Sequence, residues 1–368
     1  MSPEAAQRTR SDLVRLLESR GTAFEVLEDG PRWALVTPGL AARILGAGVG
    51  EENAFWVSPS APPSSGWFNA GGQRTWLAPE GGPGGIFCGM DLAAWTVPGD
   101  LDPASYRPDH GGGGHRWRAE LDVRSADGST HRVGVSRSMA LGPHPRIPGA
   151  MAIRFRHELS NRGDSVLDRR ISLWGLIQLP CEEGGGVIFV CLTGPGAAPV
   201  PYFGEVPDPV PGDDGRAAWF PVPGGTRFKA GIPASGFAGT VGFLRRSRLR
   251  PRGAPLLLTA MTFRVGPAAS YLERAPALWQ AAATTGNAAV EGTPVGDAAQ
   301  VYQDPGTGPS AFCEIEAHAP APRLAPGEAS AEDILITIAA VDQEKLSDAL
   351  AAGFGPALTR IPAGVVPR

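Results

Sequence analysis

The sequence predicts a mainly antiparallel β-sheet protein in which two sheets pack together. Apolar and polar residues alternate along many short segments, as they do in strands with one buried face. The 50 glycines and 37 prolines fall largely between these segments and mark turns. A chain of 368 residues is long enough for one large β architecture.

The first and last elements are predicted to be helices. Ser11 is placed to cap a helix with an apolar face, and Gly21 is placed to end it. Near the other end of the chain, Asp342 is placed to cap a second helix. We therefore expect helices within residues 1–21 and 342–354.

Between these helices the alternating segments predict strands. They cover residues 24–27, 33–37, 42–45, 118–124, 151–159, 170–179, 186–192, 217–222, 237–243, 256–265, 312–318 and 334–341. His157 alternates with apolar residues, which is typical of a core histidine, but its imidazole keeps it among the catalytic candidates.

The stretch 66–80 has the composition of a sugar-binding strand. Arg74 and Trp76 are two positions apart, so on a strand their side chains point to the same face. A guanidinium donates forked hydrogen bonds to hydroxyls, while an indole stacks on the C–H face of a sugar. An ordinary core strand with an arginine at its surface is the alternative interpretation.

Two further strands carry polar residues on one face. Alternation places Glu314, Glu316 and His318 together, either as a solvated edge or as a site where like charges ready a carboxyl for proton transfer. In strand 170–179, Trp174 and Gln178 lie opposite the apolar face, which is unusual for a tryptophan unless that face lines a groove.

Composition excludes several classes of function. A net charge of −4 argues against a nucleic-acid partner, and no apolar run is long enough to span a membrane. The four cysteines are scattered, and no secretory signal is visible, so we expect a cytoplasmic protein. The sequence has neither strong metal-ligand spacing nor a dinucleotide-binding fingerprint, so we expect no metal and no cofactor.

Several ordered stretches resemble an uncharacterised bacterial family with the galactose mutarotase-like, or aldose 1-epimerase-like, β-supersandwich. The stretches are residues 65–69, 71–82, 95–98, Asn161 with Trp174, 202–204, 229–232, 302–304, 312–316, 318–320 and 324–328. The resemblance implies one supersandwich domain over residues 1–368.

Aldose 1-epimerases use a histidine as general acid on the ring oxygen and a glutamate as general base on the anomeric hydroxyl. By resemblance the glutamate is Glu314 or Glu316, with Glu316 favoured, and the substrate-binding arginine is Arg74. Where the family's catalytic histidine is expected, this sequence has residues 172–174, which end in Trp174. In place of that histidine, Lys229, His157 or His318 would have to supply the acid.

The sequence therefore predicts a carbohydrate-active protein of the aldose 1-epimerase type, with a small-molecule carbohydrate or glycoside as partner. A non-catalytic carbohydrate-binding protein, and a lyase or isomerase of different chemistry, are the alternatives. The catalytic candidates are Glu316, Glu314, His318 and His157. The substrate-binding candidates are Arg74, Trp76, Glu80, Trp174, Gln178, Tyr202, Lys229, Tyr302 and Asp304.

Overall fold

Antiparallel strands dominate the computed structural model, and the predicted all-β class is confirmed. The structure describes residues 9–60, 62, 66–109, 115–181, 185–195, 197–212, 214–249, 255–280, 296–359, 361–362 and 364–365. No helix in these ranges is long and apolar enough to cross a membrane.

The strands are numbered β1 to β21 along the chain, and those of the described ranges form two large sheets and one small one. The nine-stranded sheet contains β1 (Glu25–Asp29), β2 (Arg32–Thr37), β3 (Arg43–Val49), β4 (Gln73–Ala78), β10 (Ser172–Pro180), β12 (Val200–Gly204), β15 (Phe228–Pro233), β18 (Asp297–Gln303) and β19 (Phe312–His318). The ten-stranded sheet contains β5 (Arg107–Pro108), β6 (His115–Arg124), β7 (Thr130–Pro143), β8 (Met151–Asn161), β11 (Gly186–Leu192), β13 (Val210–Pro211), β14 (Ala217–Val222), β16 (Phe237–Arg246), β17 (Leu256–Phe263) and β21 (Ala329–Val341). A two-stranded sheet pairs β9 (Leu167–Asp168) with β20 (Arg323–Leu324).

Strands that are distant in sequence are neighbours in both large sheets. The order in the nine-stranded sheet is β1-β2-β3-β4-β10-β19-β18-β15-β12. The order in the ten-stranded sheet is β13-β14-β11-β16-β17-β21-β8-β7-β6-β5. The centre of the first sheet therefore brings together β4, β10, β19, β18 and β15, which span most of the chain.

One hydrophobic core joins the two sheets. Leu77, Ile177 and Ile315 of the nine-stranded sheet belong to the same buried cluster as Phe155 and Ile336 of the ten-stranded sheet. Because side chains alternate along a strand, the residues between these core positions point to the outer faces of the sheets. The outer face of the nine-stranded sheet carries the candidate site.

Helices α1 (Arg10–Ser19) and α2 (Leu346–Phe354) lie near the two ends of the described chain. The side chain of Thr9, not Ser11, caps α1 by accepting a hydrogen bond from the Asp12 N–H, so the predicted cap was two residues too late. A 3₁₀ turn, Gln343–Lys345, precedes α2. The first eight residues of the predicted 1–21 helix lie outside the described ranges.

The remaining short helices are 3₁₀ turns in the connections. They are Leu92–Ala94, Ala268–Ser270, Pro276–Leu278, Gly308–Ser310 and Pro356–Leu358.

Candidate functional site

The strand register assembles a group of polar and aromatic side chains on the outer face of the nine-stranded sheet. Trp174 lies opposite Trp76 in one neighbouring strand and opposite His318 in the other. Glu316 lies opposite Gln300. We call this surface the polar face, and its members are Arg74, Trp76, Trp174, Gln178, Lys229, Gln300, Glu314, Glu316 and His318.

Glu316 is fully buried and has one occupied and one free carboxylate oxygen. Its Oε2 accepts a hydrogen bond from Trp174 Nε1 at 2.8 Å and lies 3.5 Å from Lys229 Nζ. Its Oε1 has no hydrogen-bond partner among the described residues. Burial raises the pKa of Glu316 to about 8, against the opposing effect of Lys229. Glu316 therefore holds a proton at neutral pH.

His318 is the nearest imidazole to this carboxyl. Its Nε2 lies 3.9 Å from Glu316 Oε2, and its ring stacks on Trp174 with centroids 5.3 Å apart. Within the described ranges neither ring nitrogen has a hydrogen-bond partner. Burial lowers the pKa of His318 well below its usual value, and the Lys229 charge adds to this effect. A neutral imidazole therefore lies beside a protonated carboxyl.

Lys229 is shared between several carboxyl groups. Its Nζ lies 2.9 Å from Glu80 Oε2 as well as near Glu316. Burial alone would lower the pKa of Lys229, but these two carboxyl groups outweigh it and raise the pKa above its ordinary value. Glu273 Oε2 accepts the Glu80 backbone N–H at 2.7 Å, and burial raises the pKa of Glu273 to about 8. Lys229 thus lies among three carboxyl groups, of which Glu273 and Glu316 are buried and Glu80 is partly buried.

Arg74 and Trp76 share a face, as the sequence predicts. The guanidinium carbon lies 4.0 Å from the centroid of the Trp76 ring, and Nη2 donates to Glu314 Oε1 at 3.2 Å. Gln178 Nε2 donates to the same oxygen at 2.6 Å. Burial lowers the pKa of Arg74 to about 10. Its charge is committed to Glu314, so Arg74 is a poor partner for a second anion.

Asp102 fixes side chains at the end of the polar face that carries Arg74 and Trp76. Both of its oxygens accept from Arg43 Nη2, at 2.7 and 3.0 Å. Its Oδ2 also accepts the indole N–H groups of Trp67 at 3.2 Å and Trp76 at 3.0 Å. One buried carboxylate therefore fixes two indole rings next to Arg74.

Aromatic side chains close over the centre of the polar face. Phe87 lies 5.6 Å from Trp174 and 4.8 Å from Trp76, and it stacks on Trp95 at 5.6 Å. The Trp95 indole donates to Glu80 Oε1 at 2.9 Å. Trp174 is only 1% exposed as a result. A sugar could stack on Trp174 only if Phe87 moved aside.

The other sequence-derived candidates occupy different places. Tyr302 donates to Asp304 at 2.9 Å near the polar face, and both are partly exposed. His157 lies between the sheets, where Nε2 contacts Glu332 Oε2 at 2.8 Å and Nδ1 contacts Thr75 Oγ1 at 3.2 Å. The structure thus separates His157 from Glu316, because Thr75 faces the core while its neighbours face outward.

A third hydrogen-bonded group lies at the β15–β18 edge of the polar face. Tyr202 donates its hydroxyl proton to Asp297 Oδ2, and Gln300 Nε2 donates to the Tyr202 oxygen at 2.7 Å. Burial raises the pKa of Asp297 to about 7. Tyr202 was anticipated from the sequence, whereas Asp297 and Gln300 were not.

Sequence reasoning also missed Glu273 and Asp102. Both lie in connections rather than strands, so no alternation places them on a face. Glu273 is 193 positions from the Glu80 N–H that it accepts. No local signal in the sequence could have paired these residues.

Two surface cavities lie away from the polar face. One, of about 390 Å³, is lined by residues that include Leu159, Arg264, Pro320 and Glu332, and the other, of about 480 Å³, lies over β6 to β8. In the described part of the chain, no group of three or more His, Cys, Asp or Glu side chains is arranged to hold a metal ion.

The buried acids of the site predict that the protein loses stability as the pH rises from about 4.5 to 8. Glu273 and Glu316 keep their protons in the folded state up to about pH 8, whereas unfolded carboxyls lose them near pH 4.5. Their contribution is full below pH 4.5 and is lost as the pH rises through 8, at about 1.4 kcal/mol per pH unit and group at most. Below pH 6.5 the depressed pKa of His318 acts in the opposite direction, but one imidazole offsets only one of the two carboxyls, so stability should still be highest near pH 4.5.

The Tm of Glu273→Gln, measured by thermal unfolding at several pH values, should fall less steeply over this pH range than the Tm of the wild type. Glu18→Gln, on the exposed face of α1, is the matched control and should leave the slope unchanged. Equal slopes for all three proteins would contradict the raised pKa of Glu273.

No protein-family model matches the sequence, and no curated protein matches it. Among solved structures, the fold is similar to a "putative aldose 1-epimerase" from Escherichia coli K12, with 12% identity, 87% of this chain and 100% of that chain covered, and a TM-score of 0.49. It is also similar to the Slr1438 protein from Synechocystis sp. PCC 6803, with 12% identity, coverage of 87% and 96%, and a TM-score of 0.47. A third similar structure is a "putative aldose 1-epimerase" from Klebsiella pneumoniae, with 12% identity and a TM-score of 0.46. The match covers 91% of this chain and 88% of that chain. At these values the similarity concerns the arrangement of strands and carries no information about activity.

Proposed function

We propose that this protein, when Phe87 moves aside, binds an aldose at the polar face and interconverts its α and β anomers, as an aldose 1-epimerase does. The observation that carries the proposal is the pair formed by Glu316 and His318. The two groups lie 3.9 Å apart on one strand, and each has nitrogen or oxygen atoms without partners in the described ranges. Their pKa values are shifted in opposite directions, as expected for an acid and a base working in one step.

The reaction needs two proton transfers at atoms bonded to the same carbon. A neutral His318 nitrogen takes the proton of the anomeric hydroxyl, the bond from C1 to the ring oxygen breaks as the C1 carbonyl forms, and Glu316 gives its proton to the ring oxygen. Rotation about C1–C2 and the reverse transfers close the ring with the other configuration. The protein ends in its starting protonation state.

The groups around Glu316 stabilise the charge that this step creates. When Glu316 gives up its proton, its carboxylate is already next to the Trp174 N–H and the Lys229 ammonium. Donors placed where charge develops lower the barrier without having to reorganise. In this proposal Glu316 is the acid and His318 the base at neutral pH, the reverse of the roles that the family resemblance implies for its glutamate and histidine.

The same pair favours an enzyme over a carbohydrate-binding protein. A binding protein that had lost its acid would have no second titratable group beside Glu316, yet His318 and Lys229 both lie within 4 Å of its Oε2. The alternative lyase or isomerase chemistry would use Lys229, but that ammonium is held by Glu80, and its raised pKa keeps it protonated.

Freshly dissolved α-aldoses should reach anomeric equilibrium faster with this protein than in buffer. Proton NMR of D-glucose and D-galactose measures the rate, with heat-denatured protein as control. The catalysed rate should fall as the pH rises above about 8, because Glu316 then loses the proton that it must donate. Binding without acceleration for every aldose tested would favour a carbohydrate-binding protein, and neither binding nor acceleration would remove the sugar proposal.

A further inference from the structure

The direction of the hydrogen bonds at the β15–β18 edge fixes how Gln300 is oriented. The Tyr202 hydroxyl has one proton, and it is directed to Asp297 Oδ2. The Tyr202 oxygen must therefore act as acceptor toward Gln300, and the amide presents its Nε2 to it at 2.7 Å. The carbonyl oxygen of Gln300 is thereby turned the other way.

That carbonyl oxygen is free. Gln300 is completely buried, and its Oε1 has no hydrogen-bond partner in the described part of the chain. A buried acceptor without a partner destabilises the site, and a donor on a bound ligand recovers this loss. Gln300 pairs directly with Glu316 across β18 and β19, so the Gln300 amide and the Glu316 carboxyl lie side by side on neighbouring strands.

Gly231 leaves the space that the Asp297 and Tyr202 side chains occupy. A Cβ atom there would lie 1.9 Å from Asp297 Oδ2 and 2.7 Å from the Tyr202 ring. The strand β15 thus has a glycine where the two side chains lie against its backbone. Asp297 lies near Tyr202, Lys229, Arg274 and Gln300, and burial raises its pKa to about 7. Above that pH its carboxylate is ionised, so the hydrogen bonds run from Gln300 to Tyr202 and from Tyr202 to Asp297.

We propose that Gln300, oriented by Tyr202 and Asp297, determines substrate specificity by accepting a hydrogen bond from a sugar hydroxyl beside the reacting bond. The inference rests on the proposed function. The ring oxygen is bonded to C1 and C5, and the hydroxyls one carbon further on are the 2-hydroxyl, next to C1, and the 6-hydroxyl, next to C5. With Glu316 at the ring oxygen, the neighbouring Gln300 amide reaches one of these two hydroxyls of a hexose.

The charges of the site define the rest of the substrate class. Lys229 is engaged by Glu80 and Glu316, and Arg74 is engaged by Glu314. A sugar with a phosphate or carboxylate would therefore meet carboxyl groups and cations that are already paired. The substrate is a hydroxyl-bearing aldose without an anionic group.

Three sugars of one series test the role of Gln300 in the intact protein at pH 8. These are D-glucose, 2-deoxy-D-glucose and 6-deoxy-D-glucose, or the galactose equivalents if D-galactose is turned over faster. One deoxy sugar should lose about 10- to 100-fold in kcat/KM with the wild type, because it leaves Gln300 Oε1 unpaired. Gln300→Met lacks the amide oxygen, so its kcat/KM values for that deoxy sugar and for the parent sugar should be similar.

Tyr202→Phe is the second variant and leaves Gln300 in place. Without the tyrosine oxygen the amide can turn its Nε2 toward the sugar, so discrimination should shrink although the parent sugar is still converted. The ratio of kcat/KM for the parent sugar to kcat/KM for the deoxy sugar distinguishes a positioning role of Tyr202 from a structural one. A merely destabilised protein would lose activity equally on all three sugars.

The outcomes separate the inference from the function on which it rests. If the wild type converts the parent aldose but neither deoxy sugar is disfavoured, or if Gln300→Met keeps the full discrimination, the role of Gln300 is wrong and the proposed function stands. If the wild type converts no aldose, both are overturned. Conversion of D-glucose 6-phosphate in preference to D-glucose would overturn the substrate class.

Discussion

Replacing Asp102 by alanine is expected to destabilise the fold by about 3–5 kcal/mol, because it leaves the buried Arg43 guanidinium without its carboxylate. Both side chains are at most 2% exposed. Burial alone would raise the pKa of Asp102, but Arg43 and Arg74 outweigh it and hold the pKa below its usual value. The substitution also removes the acceptor of two indole N–H groups, those of Trp67 and Trp76.

Asp333→Ala provides a matched control for Asp102→Ala. Asp333 also pairs with an arginine, Arg156, at 2.8 Å, but the two side chains are 73% and 51% exposed. Exposed pairs contribute only about 0–1 kcal/mol. Urea unfolding followed by circular dichroism measures both variants. Equal losses in the two variants would contradict a stabilising role of Asp102, and with it the role of this carboxylate in fixing the indoles of Trp67 and Trp76.

Local periodicity is sufficient to predict the faces of individual strands. The two-residue spacing placed Arg74 with Trp76, and Glu314 with Glu316 and His318, and the structure confirms both groupings. It also placed Trp174 and Gln178 away from the apolar side of their strand. These results depend only on the alternation of side chains, which each segment carries within itself.

The contacts between strands could not be predicted in this way. The Trp174 N–H reaches a carboxylate 142 positions away, and Lys229 reaches Glu80 across 149 positions. Such pairings follow from strand order and register, which are set by the packing of the whole sheet. His157 shows the same limit, since only the two-sheet packing reveals that it faces Thr75 and Glu332 rather than Glu316.

Burial of the acidic groups was also hidden from the sequence. A strand reading Glu-Ile-Glu-Ala-His fits a solvated edge as well as a site, but β19 is central in its sheet and Glu316 is 0% exposed. This burial, more than the neighbouring Glu314 charge, raises the pKa of Glu316. The like-charge argument made from the sequence therefore had the correct direction and the smaller of the two causes.

Replacing Glu316 by glutamine is expected to slow anomer interconversion by about 10²–10⁴-fold at pH 7. The amide oxygen can still accept the Trp174 N–H, and the wild-type group is uncharged at this pH, so folding and sugar binding should change little. What the variant lacks is a transferable proton. His318→Phe should cause a comparable loss, since phenylalanine keeps a ring to stack on Trp174 but has no nitrogen to accept the anomeric proton.

The double variant, Glu316→Gln with His318→Phe, is the strongest test of the pair. If acid and base act in one concerted step, removing either group disables the step, and removing both should cost little more than the worse single change. Rates come from the approach to anomeric equilibrium followed by NMR after subtraction of the buffer rate, with Glu18→Gln as a control that should retain full activity. Additive losses would indicate that the two groups act in separate steps. Full activity of Glu316→Gln would rule it out as the acid, and Glu314→Gln would then test the other carboxyl of the same strand.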